Sequence, residues 1–155
     1  MPKERKLIEL LVRKRLTLST AESCTGGLLS HRLTNIPGSS KAFLCGIIAY
    51  SNASKTRILK VPKSVTKAKG AVSAETAKLM AINARRIPDA SIGIAITGIA
   101  GPGGGTKLKP AGTVFIAVSG KKKTYVQKFL FSGNRLQIKR KSVDKALDMI
   151  LKEIK

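Results

Sequence analysis

The side chains of this chain that could attack or activate a carbonyl fall into a few short, glycine-bearing segments. The first is Ala21-Glu22-Ser23-Cys24-Thr25-Gly26-Gly27, where three nucleophile-type residues stand just ahead of two glycines. Hydroxyls and backbone N–H groups at the start of a helix suit a phosphate or an oxyanion. They equally suit ordinary helix capping, and the segment alone leaves both readings open. Cys24 rivals Ser23, because a helix N-terminus lowers a thiol's pKa and thiolate attacks carbonyls well; packed beneath the loop it is only a small buried residue. The single histidine, His31, falls inside a predicted helix, which argues against Ser-His-Asp chemistry. A hydroxyl nucleophile then needs another base, and a lysine with its pKa lowered by burial can serve. Lys55 follows Tyr50 by five residues, directly after an apolar run, and a tyrosine hydroxyl beside a lysine ammonium can relay or orient a proton. In a chain with 30 Lys and Arg, most equivalents of Lys55 must be solvated.

Three further segments share this polar, glycine- or serine-rich character: Pro37-Gly38-Ser39-Ser40, Tyr50 to Lys55, and Thr97 to Thr106. The last lacks both the dinucleotide register G-x-G-x-x-G/A and the P-loop G-K-[ST], so neither phosphate fingerprint is met. It suits a flexible lid or a surface where backbone approaches a ligand closely.

The elements that must position these residues follow from periodicity. Leu7, Ile8, Leu10 and Leu11 give an N-terminal amphipathic helix its apolar face. Leu16 to Thr20 alternates as a strand, and a helix through Leu28, Leu29 and Leu33 ends at Asn35-Ile36-Pro37-Gly38. The apolar run Phe43 to Ala49 predicts a strand buried on both faces, with Cys45 in its core. A basic, loosely patterned stretch broken by Pro62 comes next. Ser73 predicts the N-cap of a helix over Ala74 to Arg86, with Glu75 in its first turn. Ser91 to Thr97 and Thr113 to Ser119 read as buried strands, and Gly120-Lys121 turns a hairpin into Lys123 to Phe131. The final helix spaces Leu136, Val143, Leu147, Ile150 and Ile154 on one face. Strands alternating with helices, except at that hairpin, predict one α/β domain over 1–155: a three-layer α/β/α sandwich with a mixed β-sheet. In open α/β sheets ligands collect outside the carboxyl ends of strands, and three of the four segments directly follow a strand.

Composition narrows the chemistry. The 155 residues are 43% hydrophobic, enough to bury a core. With 8 Asp and Glu, one His and two Cys, carboxylate-pair mechanisms and metal cages have few members, and no metal or cofactor is expected. The formal net charge of +22 invites a nucleic-acid partner. Its basic clusters are dispersed between apolar runs, however, and no recognised nucleic-acid-binding signature accompanies them. No signal peptide or membrane-spanning run is present, so a cytoplasmic protein with reduced thiols is expected.

Taken in order, the segments resemble the CinA C-terminal domain family, the nicotinamide mononucleotide deamidases. The matching stretches are Thr20 to Gly27, Pro37 to Ser40, Ala49 to Asn52 with Lys55, Gly70 to Ser73, Thr97 to Pro102 and Gly112 to Val114. The resemblance implies the same three-layer fold. It also implies metal-free hydrolysis of the carboxamide of nicotinamide mononucleotide to nicotinic acid mononucleotide and ammonia. Carried over by position, Ser23 is the nucleophile, Lys55 and Tyr50 its activating partners, and Ser40, Thr97 and Arg135 further active-site or substrate-contacting residues. Thr25, Gly26 and the backbone around Gly101 are added as substrate-binding groups from the chemistry of helix N-termini and glycine loops. The implied partners are a small nucleotide and other copies of the chain, with no specific nucleic acid and no membrane. The chain departs from the family pattern at Ala53, Gly103, Lys107-Leu108 and Asn134, mostly where an acidic residue is usual, which bears on the electrostatics of the glycine loop. It matches the stand-alone form of the domain. The alternative is a catalytically silent nucleotide- or nucleic-acid-binding domain of the same fold.

Overall fold

The computed structural model describes residues 1–155. Five strands, β1 (Leu18–Glu22), β2 (Phe43–Ile48), β3 (Ile92–Gly98), β4 (Thr113–Ser119) and β5 (Thr124–Leu130), form one sheet in the order β2-β1-β3-β4-β5. β1 runs parallel to both β2 and β3, and β4 and β5 are antiparallel, so the expected mixed sheet is present. The helices are α1 (Lys3–Lys14), α2 (Leu28–Thr34), α3 (Asn52–Arg57), α4 (Lys63–Lys69), α5 (Ala74–Arg86) and α6 (Arg135–Glu153).

α1, α2 and α6 cover one face through a cluster that includes Leu7, Leu11, Leu29, Leu33, Ile94, Ile116 and Leu147. α5 covers the other face through a smaller, alanine-rich cluster: Ala77, Ala81 and Ala84 meet Ala21, Ala95 and Ala117. Small side chains let α5 lie close to the sheet. The contact is tightest at Gly93, where an added Cβ would come within 2.2 Å of the Ala81 carbonyl oxygen. Ser73 caps α5 by accepting from the Thr76 N–H, and the helix bounds are those predicted.

Three sequence expectations change. β2 is an edge strand, not a doubly buried one; Leu44 and Ile48 are exposed, and Cys45 is half-buried rather than in the core. A continuous apolar run does not say whether both sheet faces will be covered at that position. The stretch after β2 forms two short helices, because Ser51 caps α3 (its Oγ accepts from Ser54 N–H at 3.1 Å) and Pro62 starts α4. Leu136 is exposed in the first turn of α6, on the face of the apolar stripe of Val143, Leu147 and Ile150 but beyond the covered core.

β1 runs parallel to both β2 and β3, so Glu22, Ile48 and Gly98 lie together at the carboxyl end of these strands. The Ser23 segment, the Tyr50 segment and the glycine-rich loop therefore leave together.

Candidate active site

Between these three chain segments lies a cleft of ≈ 250 Å³, lined by Ser23, Cys24, Tyr50, Lys55, Thr97 and Arg135 among others. Ser23 leaves β1 with its N–H donated to the Ile96 carbonyl at 3.0 Å, which locks the backbone at the strand end. Lys55 lies one turn into α3 and its side chain runs back under the cleft, only 2% exposed. Its Nζ donates to Ser23 Oγ at 2.9 Å, to the Ala49 carbonyl at 2.9 Å and to the Tyr50 carbonyl at 3.3 Å. Two carbonyls thus fix two of its N–H directions and the remaining one points at the serine. Burial holds the Lys55 pKa below its ordinary value of 10.5. An amine in this position keeps both carbonyl contacts as donor and presents its lone pair to the serine hydroxyl.

Cys24 is buried beside Ser23, and its thiol is pushed up to about 11, chiefly by burial, with the Glu22 charge adding to the effect. A thiol held protonated is a poor nucleophile, so the environment favours Ser23 over its neighbour. The backbone N–H of Cys24, which lines the cleft, donates to no other residue of the chain, which leaves it as a candidate oxyanion donor.

Arg135, the first residue of α6, spans the mouth of the cleft. It donates to the Gly101 carbonyl at 2.7 Å and to the Tyr50 hydroxyl at 2.9 Å. Asn134 and Gln137 fix the helix start by a reciprocal capping box. The asparagine at a position where an aspartate was expected thus still starts the helix. Thr97, 1% exposed, donates from Oγ1 to the Ala71 carbonyl at 2.8 Å and ties the end of β3 to the turn before α5.

The structure therefore brings together Ser23, Lys55, Tyr50, Thr97, Gly101 and Arg135. It separates three other candidates. The Thr25 hydroxyl is buried and donates to Glu22 Oε2 at 2.6 Å instead of facing the cleft. Gly26 is exposed outside the lining. Ser40 is exposed in the turn before β2, at the amino end of that strand and away from the cleft. Tyr50 also changes role: its carbonyl touches Lys55, while its hydroxyl, on a residue 59% exposed, pairs with Arg135. The side chain belongs to the rim rather than to a proton relay with Lys55.

Sequence reasoning gave no role to Glu22 or to the Ala71-Val72 wall of the cleft. Glu22 is one of only eight acids and directly precedes the candidate nucleophile, a signal visible in the sequence. The anion at the start of α2 is this carboxylate, in place of the phosphate or oxyanion that the sequence suggests there. His31 is exposed and its ring meets Asn35, outside the site. No helix of the chain is long and apolar enough to cross a membrane.

The CinA C-terminal domain model matches residues 2–154. Among similar curated proteins are CinA-like proteins of Geotalea uraniireducens (strain Rf4), 48% identical over 89% of this chain and 33% of that protein, and of Desulfotalea psychrophila, 46% identical over 92% and 34%. The chain spans about a third of the length of such relatives. Similar solved structures include the competence-damaged protein (CinA) superfamily protein from Enterobacter cloacae, with TM-score 0.94, 36% identity, and coverage of 99% of this chain and 90% of that one. Another is the competence/damage inducible protein CihA from Agrobacterium tumefaciens, with TM-score 0.91, 35% identity, and coverage of 98% and 96%.

Proposed function

Because this chain belongs to the CinA C-terminal domain family, we propose that its cleft hydrolyses the carboxamide of nicotinamide mononucleotide, releasing nicotinic acid mononucleotide and ammonia. The observation that carries this reading is the buried contact of Lys55 Nζ with Ser23 Oγ at 2.9 Å, with both neighbouring carbonyls aligning the amine.

In the first half-reaction Ser23 Oγ attacks the carboxamide carbon while neutral Lys55 takes the hydroxyl proton. The carbonyl oxygen of the tetrahedral intermediate gains negative charge, which the N–H of Cys24 is suited to receive. Collapse breaks the C–N bond, and Lys55 returns its proton to the departing nitrogen, so that ammonia leaves and an ester remains on Ser23. Water, deprotonated by Lys55, then attacks the ester carbon; Ser23 recovers its proton and the carboxylate is released. Arg135 at the mouth can exchange its contacts to Gly101 and Tyr50 for the substrate phosphate, which a guanidinium binds in bidentate fashion.

Ammonia release from the purified protein supplied with nicotinamide mononucleotide tests the reading. Ser23→Ala is expected to abolish release while nucleotide still binds, and Cys24→Ala to retain it. The opposite pattern moves the nucleophile to Cys24. No ammonia from the wild type, together with steeply salt-dependent DNA binding, would favour a silent binding domain instead.

A further inference from the structure

Glu22 is fully buried, yet none of the five ion pairs of the protein includes it. An unpaired carboxylate in the interior needs several donors to be tolerated. Here it has five. Oε2 accepts from Thr25 Oγ1 at 2.6 Å and from the N–H groups of Gly27 and Leu29, each at 3.1 Å. Oε1 accepts from the Ser30 N–H and the Ser30 hydroxyl, both at 2.8 Å.

Ser30 Oγ also lies 2.8 Å from Thr20 Oγ1; since Ser30 donates to the carboxylate, Thr20 donates to Ser30. Gly46 of β2 leaves room for this chain of hydroxyls, because a Cβ there would sit 2.6 Å from Ser30 Oγ and 3.1 Å from Thr20 Oγ1. Every donor to Glu22 comes from the turn that follows Ser23 or from the first residues of α2. The carboxylate is thus the hub around which residues 23–27 are folded.

We propose that Glu22 is a positioning residue for catalysis. Its carboxylate gathers the Ser23–Gly27 turn from beneath, holding Ser23 Oγ against Lys55 and the Cys24 backbone at the cleft. The proposal rests on the reading of Ser23 as nucleophile. It assigns Glu22 no contact with substrate and no proton to transfer. A carboxylate is required because all five partners donate. In a glutamine, whichever way the amide is turned, its NH2 meets at least one backbone N–H of Gly27, Leu29 or Ser30, and that donor loses its acceptor.

Two variants and two readouts test this. Glu22→Gln is expected to lower kcat for ammonia release by about 100-fold, the scale on which loss of oxyanion donors is felt. KM should stay within about threefold, because the cleft walls and Arg135 do not depend on Glu22. Thr25→Val keeps the side chain's shape and removes one donor, with an expected loss in kcat of about tenfold. It decides the matter if Glu22→Gln does not fold. The second readout, independent of substrate, is the rate at which a small fluorophosphonate labels Ser23, which should fall in parallel in both variants.

Wild-type kcat and labelling rates in folded Glu22→Gln, or in Thr25→Val, would overturn the role of Glu22 while leaving Ser23 as nucleophile. A rise in KM at unchanged kcat would likewise overturn it. If wild-type Ser23 is not labelled at all, the nucleophile reading falls, and the proposal with it. If labelling occurs and slows in the variants but no ammonia is released from the nucleotide, Glu22 keeps its role and only the substrate is wrong.

Discussion

Replacing Lys55 with methionine separates the proposed chemistry from stability. Methionine keeps an unbranched stem in the same channel and removes the only group able to accept the Ser23 proton there. Loss of a general base costs about 10²–10⁴ in rate, and members of a nucleophile–base unit fall toward the upper end or beyond. Stability responds differently. The lowered pKa of Lys55 means that the buried ammonium costs free energy at neutral pH, and methionine removes that cost. Against this, the Ala49 and Tyr50 carbonyls lose a donor, at about 1–3 kcal/mol for an unmet buried group. The two effects oppose, so stability at pH 7 is expected within about 2 kcal/mol of wild type.

The pH dependence gives the sign. Between the folded pKa of Lys55 and the ordinary 10.5, the unfolded chain holds a proton that the folded chain has released. Wild-type stability therefore gains a rising contribution with pH across that window, at most about 1.4 kcal/mol per pH unit, and loses it as pH falls through the folded pKa. Cys24 contributes the opposite slope between 9.0 and about 11, so the wild type must be compared with the variant rather than read alone. Denaturant unfolding at a series of pH values, alongside ammonia release, measures both quantities. In the wild type kcat/KM should rise with pH through an apparent pKa below 10.5, because only the neutral amine acts as base. A Lys55→Met protein within tenfold of wild-type kcat, or one whose stability follows pH with the wild-type slope, would refute the reasoning.

Two more substitutions probe the frame around this pair. Tyr50→Phe removes only the hydroxyl contact to Arg135 at the rim, so KM for the nucleotide should rise severalfold with kcat within about threefold; a loss in kcat above about 100-fold would put that hydroxyl back into proton transfer. Gly93→Ala drives a methyl group toward the Ala81 carbonyl and the backbone N of Arg85, at 2.2 Å and 2.7 Å before relaxation, and neither backbone atom can move without lifting α5. Unfolding should become easier by about 3 kcal/mol or more, read from denaturant midpoints, and an unchanged midpoint would show that α5 is not seated as described.

Much of the frame was legible because its signals are local. The Ser73 cap and the 3.6-residue pattern define α5, and the β-rich runs 91–97 and 113–119 lie within a residue of β3 and β4. Non-local features were harder to read. The run 43–49 has the composition of a central strand, but its place at the sheet edge depends on what lies beside it, and no residue within it encodes that. Leu136 fits the helical stripe in period, yet it falls in the turn of α6 beyond the covered core.

The site divides in the same way. From the sequence alone came the residue types and their order: a serine after a strand, a lysine one segment later, a glycine-rich loop and an arginine, with a single histidine too poorly placed to serve as base. The sequence points to Lys55 by its place after the apolar run and by resemblance, but only the tertiary structure shows it buried against Ser23, where desolvation by packing lowers a lysine's pKa. Packing likewise set Cys24 aside by raising its thiol, turned the Tyr50 hydroxyl outward to Arg135, and gathered five donors from the following turn and helix onto Glu22. Spacing along the chain records which groups are available. Burial and direction, which decide what those groups can do, arise only when distant segments close around them.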